Sequence, residues 1–483
     1  MTESRNVRSW IRIVGVCLAV ALAGFLAWRV WAEVRARRVT AELREEGHPL
    51  TFHEFAERYA SGQPPDADNA AVLYLEAMDA YERELGAAPP NDLVPIIGFA
   101  DLPPRGESFP PEQAEAVEAH LDTFTDTLAL LREAAKRPAC HWPLDFAWPA
   151  ESESPYPNMG LFRGFSRLLT LQALWQAHHG QGEDAAKILL THWALVTNLQ
   201  KAPMEIINLN RINLQGMAQD SITDVLSRVD LPDAYRAELA ALLEEAETAD
   251  NLREIVQTEW LIYWDPRMVV WELEGMCPIP ALPRNPDWIG LRAALYRLLG
   301  GQARDTPRLA EVYRACLEHA ERSRPARLRH WPAFEEWLLN AEIPSFFARE
   351  APTWAAPRDM SGAAVSFAGF TGHQMQIIRA TSTAAARAGL AVDAYRQDHG
   401  RLPETLEQLV PDYVDEIPKD YYTGARLGYL HDDPAYAVFD AGLEAVQHEP
   451  WAAALLEQPA YRADSRIFAI HWTPDEVADM LEE

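Results

Sequence analysis

His53 and Glu57 stand four residues apart, the spacing that puts an imidazole and a carboxylate on one helix face. With further ligands that pair holds a divalent cation, but no third ligand follows at a matching interval, so a surface ion pair is expected. Ser166 lies in Gly164-Phe165-Ser166-Arg167-Leu168, which lacks the second glycine of a nucleophile elbow and reads as an ordinary helical serine. His178-His179 falls at the end of an apolar helical pattern, where the helix dipole favours a partial positive charge. Asp398-His399 precedes a glycine in a turn, where Asp bonds to local backbone. His431, Asp432 and Asp433 sit at a predicted hairpin tip, where cation coordination and local turn chemistry are both open. Trp142, Trp148, Trp260, Trp264 and Trp271 could line a glycan or peptide groove, although filling gaps between helices is the default use of such rings. There is no phosphate-cradling glycine loop, no H-E-x-x-H and no C-x-x-C. The residues therefore assign no catalytic group, no cofactor and no metal, and a non-enzymatic protein is expected.

The elements that position these residues begin with one apolar run, Ile13 to Ala32, broken only by Arg29. A helix of this length spans about 30 Å at about 1.5 Å per residue, the thickness of a bilayer's hydrocarbon core. Trp28 and Trp31 fall at interfacial depth, and Arg29 can snorkel. Ala21-Leu22-Ala23 resembles a signal-peptidase site, but the run continues to Trp31, so a retained anchor is expected. Arg5, Arg8 and Arg12 precede the run and Arg29, Arg35, Arg37 and Arg38 lie in it or follow it, so charge does not choose a side.

The formal net charge is −29, and residues 1–44 carry eight Arg against three Glu, which leaves −34 on the rest. Such a body repels nucleic-acid phosphates and anionic lipid, so no nucleic-acid partner is expected. Hydrophobic residues make up 48% of the chain, enough for a large folded core. Cys17 lies in the apolar run; Cys140, Cys277 and Cys316 are too scattered for a zinc set and are expected as buried thiols, with one disulfide left open.

Beyond the anchor the periodicity is helical. A charged stalk over 33–60 precedes a helix from 69 to 81 with Val72, Leu75 and Met78 on one face and Asp68 or Asn69 as cap. One helix is expected over 112–136, with Val117, Leu121, Phe124, Leu128 and Leu131 in a stripe. Further helices follow at 165–178, 183–199, 206–229, 234–258, 288–299, 307–322 and 333–339. Glu244, Glu245, Glu247 and Asp250 read as a solvated acidic face. Antiparallel helix pairs without a clean repeat give an α-solenoid-like or irregular helical body over 61–350. Cys277 to Pro286 is a breaker, and 351–372 reads as a linker.

Over 373–483 the pattern changes. An alanine-rich helix from 373 to 397 ends before Gly400, a short helix follows over 402–410, and two strands at 427–431 and 435–439 make a hairpin, giving a small α+β layer. Ala394-Tyr-Arg-Gln-Asp-His-Gly-Arg-Leu-Pro-Glu-Thr-Leu-Glu-Gln-Leu-Val410, then Ile417-Pro-Lys-Asp-Tyr-Tyr-Thr-Gly424 and Tyr436-Ala-Val-Phe-Asp-Ala-Gly442, resembles the soluble part of the major pseudopilins of type II secretion systems. The resemblance covers roughly residues 379–442, and Ser465 to Ile470 matches that family's final strand. It implies a long helix packed on a small sheet. The family's calcium loop is not matched, since Asp440 to Glu449 keeps too few oxygen ligands. The architecture also resembles membrane-anchored bacterial proteins that join a helical body to such a module, and this resemblance implies a body outside the cytoplasm.

Together these readings give a mainly α chain: tail 1–12, transmembrane helix 13–32, stalk 33–60, helical body 61–350, linker 351–372 and pseudopilin-like module 373–483. The expected setting is the bacterial inner membrane, single-pass, with the bulk periplasmic. The expected action is protein–protein interaction with an envelope partner. The alternatives are a hydrolase of cell-wall or glycan material using carboxylates in a Trp-lined cleft, and an accessory subunit of a secretion or pilus-like apparatus.

Overall fold

The computed structural model describes residues 3–89, 91–104, 107–144, 158–261, 300–339, 343–344, 357–358, 370–421, 424–440, 467–470 and 477. Trp148, Trp264, Trp271, Cys277, the helix expected at 288–299, most of the linker at 351–372 and the acidic stretch after Asp440 lie outside these residues.

Among the described residues the chain is mainly helical, with thirteen α-helices and a small three-stranded sheet. Helix α1 runs from Glu3 to Glu45, and its segment from Arg12 is long and apolar enough to cross a membrane, with none of its most apolar window buried. At about 1.5 Å per residue its 43 residues extend well beyond a bilayer core. Glu33 to Arg37 and Arg38 to Glu42 are i,i+4 ion pairs, while Ala32, Ala36 and Leu43 on the other side are buried.

The stalk is not continuous. Gly47 takes φ +84°, and the bonds from His48 N–H to the Leu43 carbonyl and from Gly47 N–H to the Arg44 carbonyl close α1 as a Schellman motif. Helix α2 then restarts at Phe52 and ends at Ala60.

Two compact units follow from the packing. The first takes Met1–Glu57, Val256–His319 and Glu335–Ala368. In it His48 stands edge-on to Tyr313, Trp260 packs on the same ring, and Arg314 pairs with Glu46 at 2.6 Å.

The second unit takes Arg58–Ile255, Ala320–Phe334 and Gly369–Glu483 and holds the main core. Asn69 caps α3 (Ala70–Leu85) by accepting from Ala71 N–H. The buried face of α3 is Ala70, Ala71, Tyr74, Ala77 and Met78, with Val72 and Leu75 only half-buried. The face is turned from the expected one because Tyr74 stacks on Trp142 and its hydroxyl accepts from Asn198 Nδ2, while the alanines admit a close neighbour.

The helix expected at 112–136 is two, α4 (Pro111–Thr123) and α5 (Thr125–Ala134), parted at buried Phe124. Glu84 on α3 explains the break, since its carboxylate accepts from Asp126 N–H, Thr127 N–H and the Thr127 hydroxyl at the exposed start of α5.

Helices α6 (Met159–His178), α7 (Gly182–Leu199), α8 (Glu205–Leu226) and α9 (Asp233–Thr248) form the packed body of this unit. Helix α9 ends ten residues earlier than expected, and α10 (Leu252–Glu259) is separate. Two more helices, α11 (Gly301–Glu321) and α12 (Arg324–Leu339), precede a two-residue ladder of β1 (Ile343–Pro344) with β2 (Pro357–Arg358).

Helix α13 (Phe370–His399) packs on α8 and α9 and shares their core. The segment expected as a short helix is a single 3₁₀ turn, Leu406–Leu409, because Thr405 before it is extended. Strands β3 (Gly428–Asp432), β4 (Ala435–Phe439) and β5 (Ile467–Ile470) are antiparallel in the order β3-β4-β5. Central β4 is covered on both faces: Tyr436 and Val438 join the main core, and Ala437 packs with Ala469 and Val477.

Candidate functional site

Most residues with chemistry in their spacing are used locally. His53 Nε2 lies 3.3 Å from Glu57 Oε1 on an exposed face, a surface pair as read from the sequence. The His179 ring caps α6 through Nδ1 and the Trp175 carbonyl at 2.8 Å. His178 does something else: its Nδ1 accepts the Phe109 backbone N–H at 3.3 Å, which requires that nitrogen to be unprotonated. Burial, with the charges of His179 and Arg228, lowers its pKa, opposite to the cationic role the helix end suggests. Trp142 and Trp260 are buried in packing positions. Cys140 and Cys316 are buried free thiols, each pushed up to about 12 by burial. His431, Asp432 and Asp433 are exposed at the hairpin tip. Among the described residues no three His, Cys, Asp or Glu side chains are grouped to hold a metal.

Ser166 is more than an ordinary helical serine. Its Oγ lies 2.6 Å from His192 Nε2 across α6 and α7, both residues being buried. The pair lacks the third member of a hydrolytic triad, since His192 Nδ1 has no hydrogen-bond partner. Burial drives His192 down to about 3, so the imidazole is neutral and serves the core. No local pattern in the sequence joins positions 166 and 192; only the docking of α6 on α7 does.

The structure does bring charged groups together where α9, α13 and the turn at 411–416 enclose a cleft of about 880 Å³. Small side chains, including Ala237, Ala240, Ala241 and Ala391, are among its lining. Asp233, Glu244, Asp398, Asp412, Asp415 and Glu416 line it, with Arg236 and Arg387 as the two cations.

Both arginines are neutralised from within. Buried Arg236 donates to Asp233 and, at 3.2 Å, to Asp393, which is itself only 2% exposed and also accepts from Arg396 and Gln397. Arg387 forks onto Glu247 at 2.9 and 3.2 Å. Burial works against the Arg387 cation and the Glu247 carboxylate overrides it, so its pKa rises. Tyr413 closes one wall by donating to Asp398 at 2.8 Å, and burial with that carboxylate raises its hydroxyl to about 12.

Behind the cleft a polar seam ties α9 to α13. Glu247, read from the sequence as part of a solvated face, is buried and accepts from Arg387 and from the Tyr421 hydroxyl at 3.0 Å. Asp250 is also engaged, by Arg327. Glu244 and Glu245 remain exposed, as expected. Arg324 lies over the Tyr421 ring at 4.9 Å and donates to the Glu247 and Ala249 carbonyls. These partners are up to 174 residues apart, so helical periodicity could not have paired them.

An acidic rim can hold a cationic segment, because its own two arginines are already paired with carboxylates. Comparison with known families, characterised proteins and solved structures returns no match.

Proposed function

We propose that this chain is a single-pass protein of the bacterial inner membrane whose periplasmic bulk docks a basic segment of an envelope partner in the α9–α13 cleft. The cleft carries this reading: an 880 Å³ recess lined by six carboxylates, whose two arginines are matched internally by Asp393 and Glu247. Helix α1 supports membrane tethering, being apolar and unburied over a bilayer's length. The likeness of the whole architecture, a helical body joined to a pseudopilin-like module, to membrane-anchored bacterial proteins supports a periplasmic bulk. On this reading the pseudopilin-like helix α13 is one wall of the docking site. A reporter fused to the carboxyl terminus and active only in the cytosol would overturn the periplasmic placement.

The docking reading is tested on the full-length protein in detergent micelles with a fluorescent Lys/Arg-rich peptide, followed by anisotropy. Binding is expected to saturate and to weaken as salt rises. Neutralising four rim groups together (Asp398→Asn, Asp412→Asn, Asp415→Asn and Glu416→Gln) removes pairs worth roughly 0.2–1 kcal/mol each, about 0.8–4 kcal/mol in all, so affinity should fall by about fourfold to a thousandfold. Unchanged affinity in that variant refutes the cleft as the docking site.

A further inference from the structure

The seam holds a guanidinium without a carboxylate. Arg211, on the second turn of α8, is 4% exposed, and its three hydrogen bonds go to neutral amides. Nε and Nη2 donate to Asn208 Oδ1 at 3.3 and 3.1 Å, and Nη1 donates to Gln215 Oε1 at 2.8 Å. Among the described residues no carboxylate lies within ion-pair distance of it. Asn208 is 1% exposed, and its Nδ2 has no hydrogen-bond partner. A guanidinium offers five N–H donors and an amide two, so this pair still has about four donors to place and no acceptor for them.

The surroundings add positive charge. Arg324 of α12 acts on Arg211 repulsively and is itself bonded to the backbone carbonyls of Glu247 and Ala249. From α13, the Arg379 guanidinium lies against Gly216, and Thr383 accepts from Gln215 Nε2 at 2.7 Å. Glu205 is the carboxylate whose field reaches Arg211 in the opposite sense. The neighbouring carboxylates Glu247 and Asp250 are taken by Arg387 with Tyr421 and by Arg327. Isolated cations are not left buried in proteins without a countercharge. The start of α8 also offers a favourable helix dipole to an anion, and Ile206, two residues before Asn208, is 42% exposed.

We propose that Arg211 and Asn208 bind a small oxyanion, a carboxylate or a phosphate-like group, beside the first two turns of α8. The anion accepts the remaining Arg211 Nη protons and the Asn208 amide protons and supplies the charge the fold omits. The site is separate from the α9–α13 cleft, which takes the opposite charge.

The test uses the full-length protein in detergent micelles, with Tm read by tryptophan fluorescence at constant ionic strength. Sodium chloride is the reference, and phosphate, sulfate and acetate are the arms. A saturable rise of about 3 °C with an oxyanion is expected. Acetate alone giving the rise assigns a carboxylate ligand, and phosphate and sulfate alone assign a tetrahedral oxyanion. Arg211→Gln should lose the response. Asn208→Asp places a carboxylate against the guanidinium, so it should raise Tm without added anion and abolish the response. The proposal fails if no oxyanion exceeds chloride in the wild-type protein, or if Asn208→Asp lowers Tm.

Discussion

Replacing Glu247 by Leu tests the joint between α9 and α13 and, through it, the cleft. The Glu247 side chain is 4% exposed and takes bonds from Arg387 Nε at 2.9 Å, Arg387 Nη2 at 3.2 Å and the Tyr421 hydroxyl at 3.0 Å. Removing one member of a buried pair costs about 3–5 kcal/mol, because the other charge stays desolvated. Arg387 keeps 15% side-chain exposure, so the lower end, about 3 kcal/mol, applies. At roughly 2–4 °C per kcal/mol, Tm should fall by about 6–12 °C. Tryptophan fluorescence and circular dichroism on micellar protein read the shift. The double variant Glu247→Leu with Arg387→Leu removes both charges and should recover to within about 1 kcal/mol of wild type. Glu247→Gln keeps the shape and frees the Arg387 charge on the cleft wall, so it should weaken the basic peptide. A single variant as stable as wild type, or a double variant no better than the single, refutes the reasoning.

Acid should destabilise the second unit through three imidazoles whose protonation the fold opposes. His120, His178 and His192 all have folded pKa values lowered from 6.5, with burial first among the causes. Below pH 6.5 the unfolded chain therefore binds more protons than the folded one. Their stabilisation is complete above that pH and is lost as pH falls, at about 1.4 kcal/mol per pH unit for His192 down to about pH 3. Urea midpoints measured from pH 8 to 4 check this, and a flat profile would contradict it. Gly389→Ala should dislodge β5, since a Cβ there would run into the Phe468 ring. Overpacking of this kind costs about 1–3 kcal/mol, and a variant with unchanged Tm would place the ring elsewhere.

Local chemistry in the chain was enough to place α1, most of the helices and the β3–β4 hairpin. Each is a short-range pattern: an apolar run as long as a bilayer is thick, a 3.6-residue stripe, or an alternation around Asp432-Asp433-Pro434. Asn69 was legible as a cap because its bond reaches only two residues. What failed did so wherever a distant partner decided. The break at Phe124 depends on Glu84, forty residues earlier on another helix. The turned face of α3 depends on Trp142 and Asn198.

The candidate sites fall on the same side of that line. Asp398 was visible as a turn residue, but its neighbours Asp233 and Glu244 lie on α9, a stretch that only the docking of α13 on α9 brings to it and to Asp412. Glu247 looked like one more solvated carboxylate, and Arg211 gave no sign of lacking one. Periodicity tells which residues share a face of one helix. Whether that face meets water, an alanine-lined neighbour or an opposite charge is set by helices far away in the chain. Burial and ion pairing are properties of the packed unit, so the cleft and the seam exist only once it has formed.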